Sequence, residues 1–128
     1  MDILGDLDGR TVAEVGCGSG HNLAHLVANH GAHGIGIDHD PRKIERATRF
    51  YGQHPRIDFR LGDAATTLST LTPGSVDVCL SIFGALSFSE PSPILAAAAR
   101  ALRPGGLLVL TLRADDHHDT VIGLSRKA

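Results

Sequence analysis

The chain has 128 residues, 42% hydrophobic and 20% charged, which fits one folded domain and excludes a disordered or collagen-like chain. The chain has 12 Lys and Arg residues and 14 Asp and Glu residues, and a formal net charge of −2 gives no attraction to nucleic acid or an anionic membrane. No window approaches the roughly 20 apolar residues that span a bilayer, and the N-terminus carries acids where a secretory signal carries basic residues. These features predict a cytoplasmic protein without a membrane or nucleic-acid partner.

The first half of the chain alternates strands and helices. A strand at Thr11 to Val15 runs into a glycine-rich turn, GCGSG, and then into an amphipathic helix that a glycine ends. A second strand at His33 to Asp38 precedes a helix with Asp40 as its N-cap and Pro41 at its first position, which ends at Gly52. Two such units in series predict a parallel sheet.

The second half continues the alternation. Arg56 to Leu61 alternates polar and apolar residues and predicts a strand, and GDAATTLSTL after it predicts a turn and a short helix. Ser75 to Phe83 is the next predicted strand, an Ala-rich helix follows over Pro91 to Leu102, and a Pro-Gly-Gly break precedes a buried strand at Leu107 to Leu112. Five strands and four helices predict a single α/β domain over residues 1–128, with a doubly wound, mainly parallel sheet and helices on both faces.

The glycine-rich turn is the first candidate binding element. Ligands of such sheets bind beyond the carboxyl ends of the strands, and Gly16, Gly18 and Gly20 follow the first strand there, just after Glu14. Glycines let the backbone turn sharply and approach a ligand closely. A dinucleotide-binding turn needs its last glycine at the position of His21, so the spacing disfavours a nicotinamide dinucleotide.

Asp38 is the second candidate, because it ends the second strand 20 residues after Gly18. A carboxylate there suits hydrogen bonds from ribose hydroxyls and repels a 2′-phosphate. A ligand that contains a nucleoside with free hydroxyls is therefore implied. The alternative is an acid that caps the strand end and binds no ligand.

The cysteines and histidines carry weaker signals. Cys17 and Cys79 form neither a CxxC pair nor a disulfide framework, which predicts two reduced and partly buried thiols. His21 and His25 stand one helical turn apart, and Asp115 to Asp119 (DDHHD) concentrates potential metal ligands. Neither group has a closed ligand set with a recognised spacing, so no metal is predicted.

Four segments, EVGCGSG, GIDHDP, GDA and LRPGGLLVL, occur in an order and spacing that resemble the class I S-adenosylmethionine-dependent methyltransferases. The resemblance covers about Val12 to Arg113. It implies a Rossmann-like core with strand order 3-2-1-4-5, S-adenosyl-L-methionine as the cofactor and S-adenosyl-L-homocysteine as the product. Members of the family continue after the fifth strand, so we expect a core truncated there, either a fragment or a chain completed by another.

The resemblance also implies the cofactor-binding residues. Glu14 would organise the turn and contact the ammonium group of the cofactor, and Asp38 would hold the ribose hydroxyls. His39 would lie against the adenine, Asp63 would accept from the adenine amino group, and Ala64 would offer its backbone amide to the ring. The complete implied set is Glu14, Gly16, Cys17, Gly18, Gly20, Asp38, His39, Asp63, Ala64, Ser81, Ile82 and Phe83, of which the last three would wall the methionine side.

The predicted function is methyl transfer to an oxygen, nitrogen or carbon nucleophile of a small molecule. Methyl transfer needs alignment and exclusion of water more than a reactive side chain, and no catalytic residue is assigned. SIFGALSF lacks the Asn-Pro-Pro-aromatic and Asp-Pro-Pro-aromatic elements of similar families that methylate nucleic-acid bases. Two alternatives stay open: a non-catalytic or partner-dependent S-adenosylmethionine-binding module, and, with less support, a nicotinamide-dependent oxidoreductase domain.

The last predicted strand raises a separate expectation. Only ADDHHDTVIGLSRKA follows Arg113, which predicts a turn and one short helix. Leu107 to Leu112 would then form an exposed apolar edge, which soluble proteins avoid. We therefore expect a second copy of the chain, or a partner chain, to cover this strand.

Overall fold

The structure is a computed structural model, and it describes residues 5–82, 93–113 and 119–125. Strands and helices alternate along the chain until the last two elements, which are both strands. The elements are β1 (Thr11–Val15), α1 (His21–His30), β2 (His33–Asp38), α2 (Pro41–Tyr51), β3 (Ile57–Leu61), α3 (Ala64–Ser69), β4 (Val76–Ile82), α4 (Pro93–Ala101), β5 (Leu102–Arg113) and β6 (Asp119–Ser125).

The strands form one sheet in the order β3-β2-β1-β4-β5-β6, which confirms the predicted 3-2-1-4-5 order of the first five. Those five are parallel, and β6 is antiparallel to β5. Val15 lies opposite Ile37 on one side and Ser81 on the other, and Asp38 lies opposite Leu61. The carboxyl ends of β1 to β4 therefore meet at one edge of the sheet.

The sixth strand corrects the prediction for the end of the chain. Residues Leu107 to Arg113 of β5 pair with Ser125 to Asp119 of β6, so the edge of β5 is covered by this chain's own backbone. The predicted exposed edge was wrong, and Asp119–Ser125 form a strand where the prediction placed a short helix. The pairing satisfies the backbone groups that a second copy was expected to meet. Residues 115–118 of the DDHHD segment lie outside the described residues.

β5 also begins earlier than predicted. Val76 pairs with Leu102 and Val78 pairs with Leu107, so the intervening Pro-Gly-Gly segment makes an irregularity within the ladder and does not end it. Gly105 has a φ of +80°, which suits a glycine at such a bulge. Helix α4 consequently passes directly into the strand, without the predicted loop.

Two apolar clusters lie on opposite faces of the sheet, as the predicted doubly wound arrangement requires. Ala13 of β1 packs on the face covered by α3 and α4, where Leu68 is fully buried. Val12 packs on the other face, where Leu23 of α1 is fully buried. Successive strand residues point to opposite faces, and burial of each large apolar side chain stabilises the fold by roughly 1.5–3 kcal/mol. Within the described residues, no helix combines the length and apolar character needed to cross a bilayer.

Candidate functional site

The turn after β1 folds back over the end of β2. Gly16, Gly18 and Gly20 have φ values of +74°, +58° and +84°, in the left-handed region that favours glycine. The backbone N–H groups of Gly16 and Cys17 both donate to the carbonyl oxygen of Ile37, at 2.7 and 3.0 Å. The turn is thereby fixed to the neighbouring strand as well as to its own helix.

Gly18 and Gly20 have different structural roles in this turn. A Cβ atom at Gly18 would meet nothing within 4 Å, so the backbone there faces open space. A Cβ at Gly20 would lie 2.7 Å from the ring of Phe59 and 3.2 Å from the Cβ of Ala47. Gly20 therefore allows α1 to pack closely on β3 and α2, whereas Gly18 leaves the backbone accessible to a ligand.

Asp38 joins the glycine turn to the end of β2. Its side chain is 7% exposed. Its Oδ2 accepts a hydrogen bond from the Gly18 backbone N–H at 2.9 Å, and its Oδ1 accepts one from the Asp40 N–H at 2.9 Å. An ionised carboxylate offers roughly four acceptor positions, so the group keeps capacity for two further donors. The bond from the Asp40 N–H agrees with the predicted alternative of an acid that caps the strand end, and the bond from Gly18 was not predicted.

Glu14 lies beneath the first turn of α1 and is 2% exposed. Its Oε2 accepts a hydrogen bond from the Asn22 side-chain amide at 2.9 Å, and its Oε1 is buried with no hydrogen-bond partner among the described residues. Burial raises the pKa of this carboxyl from its ordinary 4.5 to about 7, and the Asn22 hydrogen bond opposes the rise. No motif in the sequence points to Asn22, although it stands in the first turn of a helix that follows a glycine loop.

Cys17 is 8% exposed, and its thiol packs against the backbone of Gly36. Burial, together with the charges of Glu14 and Asp38, raises the pKa of the thiol to about 12. Cys17 is a free thiol, as predicted, and it is more fully buried than the predicted partial burial. The backbone N–H of Cys17 donates to Ile37, and its carbonyl accepts from the Gly20 N–H, both at 3.0 Å.

The end of β3 supplies the other polar groups. The backbone N–H of Gly62 donates to the Asp38 carbonyl at 3.0 Å, which ties the ends of β2 and β3 together. Asp63 is the N-cap of α3: its Oδ2 accepts from the Thr66 N–H at 3.0 Å and the Thr66 hydroxyl at 2.9 Å. The Thr66 backbone hydrogen bond, followed by the hydroxyl bond, lowers the pKa of Asp63. Ala64 opens α3, where a backbone amide has no partner within the helix.

The remaining predicted residues stand at the same edge of the sheet. His39 follows Asp38; its side chain is 89% exposed, and its Nδ1 lies 3.8 Å from the Asp38 Oδ1. Ser81 is buried at the end of β4, beside Val15 in the register. Ile82 is the last residue of β4, and Phe83 lies outside the described residues.

Two other features of the described residues lie away from this edge. A cavity of about 510 Å³ between α1 and α2 is lined by residues that include Ala24, Tyr51 and His54, and by none of the predicted site residues. His21 bonds to the Tyr51 hydroxyl and His25 bonds to Asn29, so the two histidines do not converge on one point. No group of three His, Cys, Asp or Glu side chains in the described residues is placed to hold a metal ion.

Comparison with known proteins agrees with this geometry. A family model described as a methyltransferase domain matches residues 13–110. An uncharacterized methyltransferase of Mycobacteroides abscessus is 36% identical over 107 residues, which are 82% of this chain and 40% of that protein. The chain thus spans well under two thirds of this relative's length.

Two solved structures share the fold. The putative methyltransferase in a complex with the Trm112 methyltransferase activator of Haloferax volcanii has a TM-score of 0.73 and 28% identity, over 86% of this chain and 48% of that one. Phosphoethanolamine N-methyltransferase 2 of Haemonchus contortus, in complex with S-adenosyl-L-methionine, has a TM-score of 0.77 and 20% identity, over 86% of this chain and 26% of that one.

The sheet order and the glycine turn define a Rossmann-like methyltransferase core. The chain belongs to the methyltransferase domain family, within the class I S-adenosylmethionine-dependent methyltransferases. S-adenosylmethionine is the cofactor of that class.

Proposed function

We propose that this chain binds S-adenosylmethionine across the carboxyl ends of β1, β2 and β3, and that it transfers the methyl group to a small-molecule nucleophile. The observation that carries the proposal is the contact between Asp38 and the Gly18 N–H. It places a buried carboxylate with spare acceptor capacity beside a turn whose backbone faces open space. A nucleoside with free hydroxyls matches both features.

The residues present fit the cofactor. Asp38 is proposed to accept hydrogen bonds from the ribose hydroxyls, and the unpartnered Oε1 of Glu14 suits a positively charged amino group. Asp63 and the Ala64 amide, at the next strand end, are proposed to meet the adenine ring, with the exposed His39 nearby. The other proposed contacts are the backbones of Gly16, Cys17, Gly18 and Gly20 and the β4 end at Ser81, Ile82 and Phe83.

The protein's own contribution is positional. The bound cofactor supplies a methyl carbon already activated by a sulfonium. The chain then has to hold the cofactor's two ends, exclude water and leave the methyl side open. The paired strand ends and the turn fixed by Ile37 and Asp38 provide a rigid frame for this task. No side chain of the described residues is assigned as a general base.

A small molecule is favoured as the acceptor. The net charge of −2 provides no general attraction for a nucleic-acid backbone. Phosphoethanolamine, the substrate named for the Haemonchus enzyme, is also a small molecule, although that enzyme shares only the fold with this chain.

The proposal is tested by calorimetric titration with S-adenosylmethionine, S-adenosylhomocysteine and NAD⁺. We expect the first two to bind, and we expect Asp38→Ala to weaken both by about 1–3 kcal/mol, roughly 5- to 150-fold, because charge-assisted hydrogen bonds are lost. Asp58→Ala is the matched control, since Asp58 is an exposed carboxylate of β3 that pairs with Arg60. Binding of NAD⁺ with no binding of S-adenosylmethionine would overturn the proposal.

Catalysis is tested separately from binding. A screen of small oxygen, nitrogen and carbon nucleophiles, followed by detection of S-adenosylhomocysteine, is expected to find turnover. The alternative is a non-catalytic or partner-dependent binding module, for which the Haloferax methyltransferase in complex with an activator is a precedent. Cofactor binding without turnover against any acceptor would support that alternative.

A further inference from the structure

The cavity between α1 and α2 is a second concave site of this chain. Its volume of about 510 Å³ falls within the range of small-molecule sites. One wall is α1, and the other is formed by the end of α2, the turn that follows it and the first residue of β3. None of the described residues that line the cavity belongs to the predicted cofactor-binding set, so the two sites are separate.

The floor of the cavity is part of the apolar core. Val27 of α1 and Ile57 of β3 line it, and they are only 1% and 8% exposed. Phe50 also lines it, although this aromatic residue is 64% exposed, and its ring centroid lies 6.3 Å from that of Tyr51. An apolar ligand would remove this surface from water, and a planar ring would also gain from contact with the two aromatic rings.

The polar groups of the lining carry no fixed charge. Of the described residues that line the cavity, none is Asp, Glu, Lys or Arg. The polar side chains are the imidazoles of His21, His25 and His54, the Gln53 amide and the Tyr51 hydroxyl. A charged ligand would lose hydration here without meeting a counter-ion, so the lining favours an uncharged one.

His54 supplies a hydrogen-bond donor whose position on the ring is fixed. This half-buried side chain accepts a bond at Nδ1 from the Arg56 backbone N–H at 3.2 Å, and a nitrogen that accepts carries no proton. The proton of the neutral ring is therefore on Nε2, which meets no acceptor among the described residues. The His54 N–H donates to the Tyr51 carbonyl at 3.1 Å and the Ile57 N–H to the His54 carbonyl at 3.2 Å, so the turn is already ordered.

We propose that this cavity binds an uncharged aromatic molecule that carries a carbonyl oxygen. The ring of the ligand lies on the apolar floor at Val27 and Ile57, and its oxygen accepts a hydrogen bond from the His54 Nε2–H. His54 is thus a specificity-determining residue, because it selects ligands that bring an acceptor. The inference goes beyond the proposed function and does not depend on it, since the cavity shares no described residue with the cofactor site.

The experiment is an NMR titration of the ¹⁵N-labelled chain with coumarin, an uncharged bicyclic aromatic molecule with a lactone carbonyl. Naphthalene, which has a similar size and no oxygen, is the second probe. We expect both to shift the amide signals of Phe50, Tyr51 and Ile57, with Kd values on the order of 1 mM because ligands of this size gain little free energy in total. Addition of S-adenosylhomocysteine should leave both affinities unchanged.

The hydrogen bond is tested by two variants of His54. His54→Asn keeps an acceptor for the Arg56 N–H and removes the Nε2 donor, so coumarin should bind about 2- to 10-fold more weakly and naphthalene as before. His54→Gln retains a donor near the position of Nε2 and should keep the native affinity for coumarin. His33→Asn is the matched control, because His33 is an exposed histidine of β2 that does not line the cavity.

The location is tested by filling the cavity. Ala28→Leu, at an exposed alanine of α1 that lines it, should weaken both probes roughly tenfold or more. Ala99→Leu, at an exposed alanine of α4, should weaken neither. Both substitutions are at exposed helical positions, and circular dichroism checks the fold of each variant before titration.

Three results would overturn the proposal. Shifts centred on Gly18 and Asp38, or displacement by S-adenosylhomocysteine, would place the probes in the cofactor site. Equal losses of coumarin and naphthalene affinity in His54→Asn would exclude the hydrogen bond from Nε2. Binding of neither probe up to its solubility limit would exclude the site, and it would leave the proposed binding of S-adenosylmethionine untouched.

Discussion

Glu14→Gln should change how the stability of the folded chain depends on pH. The pKa of the Glu14 carboxyl rises from 4.5 to about 7 on folding, so between these values the native state holds more protons than the unfolded state. The contribution of Glu14 to stability is therefore lost as pH rises through this window. The rise corresponds to about 3 kcal/mol, since each pKa unit is worth about 1.4 kcal/mol. Full burial of the side chain means that solvent screens little of this effect.

The assay is urea denaturation followed by circular dichroism at half-unit steps from pH 4.5 to pH 8. The substitution removes only the Glu14 carboxyl, so the difference in unfolding free energy between the native chain and the variant reports on that group. We expect Glu14→Gln to gain about 3 kcal/mol relative to the native chain across the window, most of it by pH 7. Glu45→Gln, at an exposed carboxylate paired with Arg49 on α2, serves as the control and should give parallel curves. Parallel curves for Glu14→Gln itself would refute the reasoning.

Three further outcomes follow from the described contacts. Gly18→Ala should lower the free energy of unfolding by about 1–2 kcal/mol, because the residue has a positive φ. Gly20→Ala should lower it by about 1–3 kcal/mol more, because the new Cβ also meets the ring of Phe59. Equal losses for the two variants in urea denaturation would contradict this. Asp77→Ala should lower stability by about 1–3 kcal/mol, because its carboxylate accepts from the Thr11 N–H, and leave S-adenosylhomocysteine affinity unchanged in calorimetry. Cys17, whose pKa is raised to about 12, should resist iodoacetamide at pH 7.5 in the folded chain and react after urea is added; rapid modification without urea would exclude the buried thiol.

Elements with strong local signals were predicted to the residue. β1 and β2 have the predicted bounds, since each is a short apolar run with a glycine turn or an acid at its end. α2 begins at Pro41 as predicted, with the Asp40 side chain accepting from the Arg42 N–H at 2.9 Å. In these places the information lies within a few neighbouring residues.

The errors fall where long-range pairing decides the structure. The bulge that admits Leu102 to β5 depends on its pairing with Val76, and a Pro-Gly-Gly sequence alone reads as a break. β6 carries Val121, Ile122 and Leu124, too few residues to signal a strand without knowledge of the β5 edge beside it. The predicted exposed edge of β5 did indicate that another strand must pair there, but the prediction took that strand from another chain.

The sequence predicted that the candidate site lies at a set of strand ends. It did not predict the contacts between the residues of the site. The register brings Glu14, Gly18, Asp38 and Asp63 to one edge because parallel strands end together. The Asn22 contact and the bond from Gly18 to Asp38 depend on side-chain directions that spacing does not fix. The ligand roles of the predicted residues stay predictions.

The hydrogen bond between Asp38 and the Gly18 N–H has a consequence for binding kinetics. A loop held by the protein's own carboxylate has already lost its conformational freedom when the chain folds, so an arriving nucleoside does not have to order it. Association should then be binding to a preformed site, with a rate constant set by diffusion and by how open the site is to solvent.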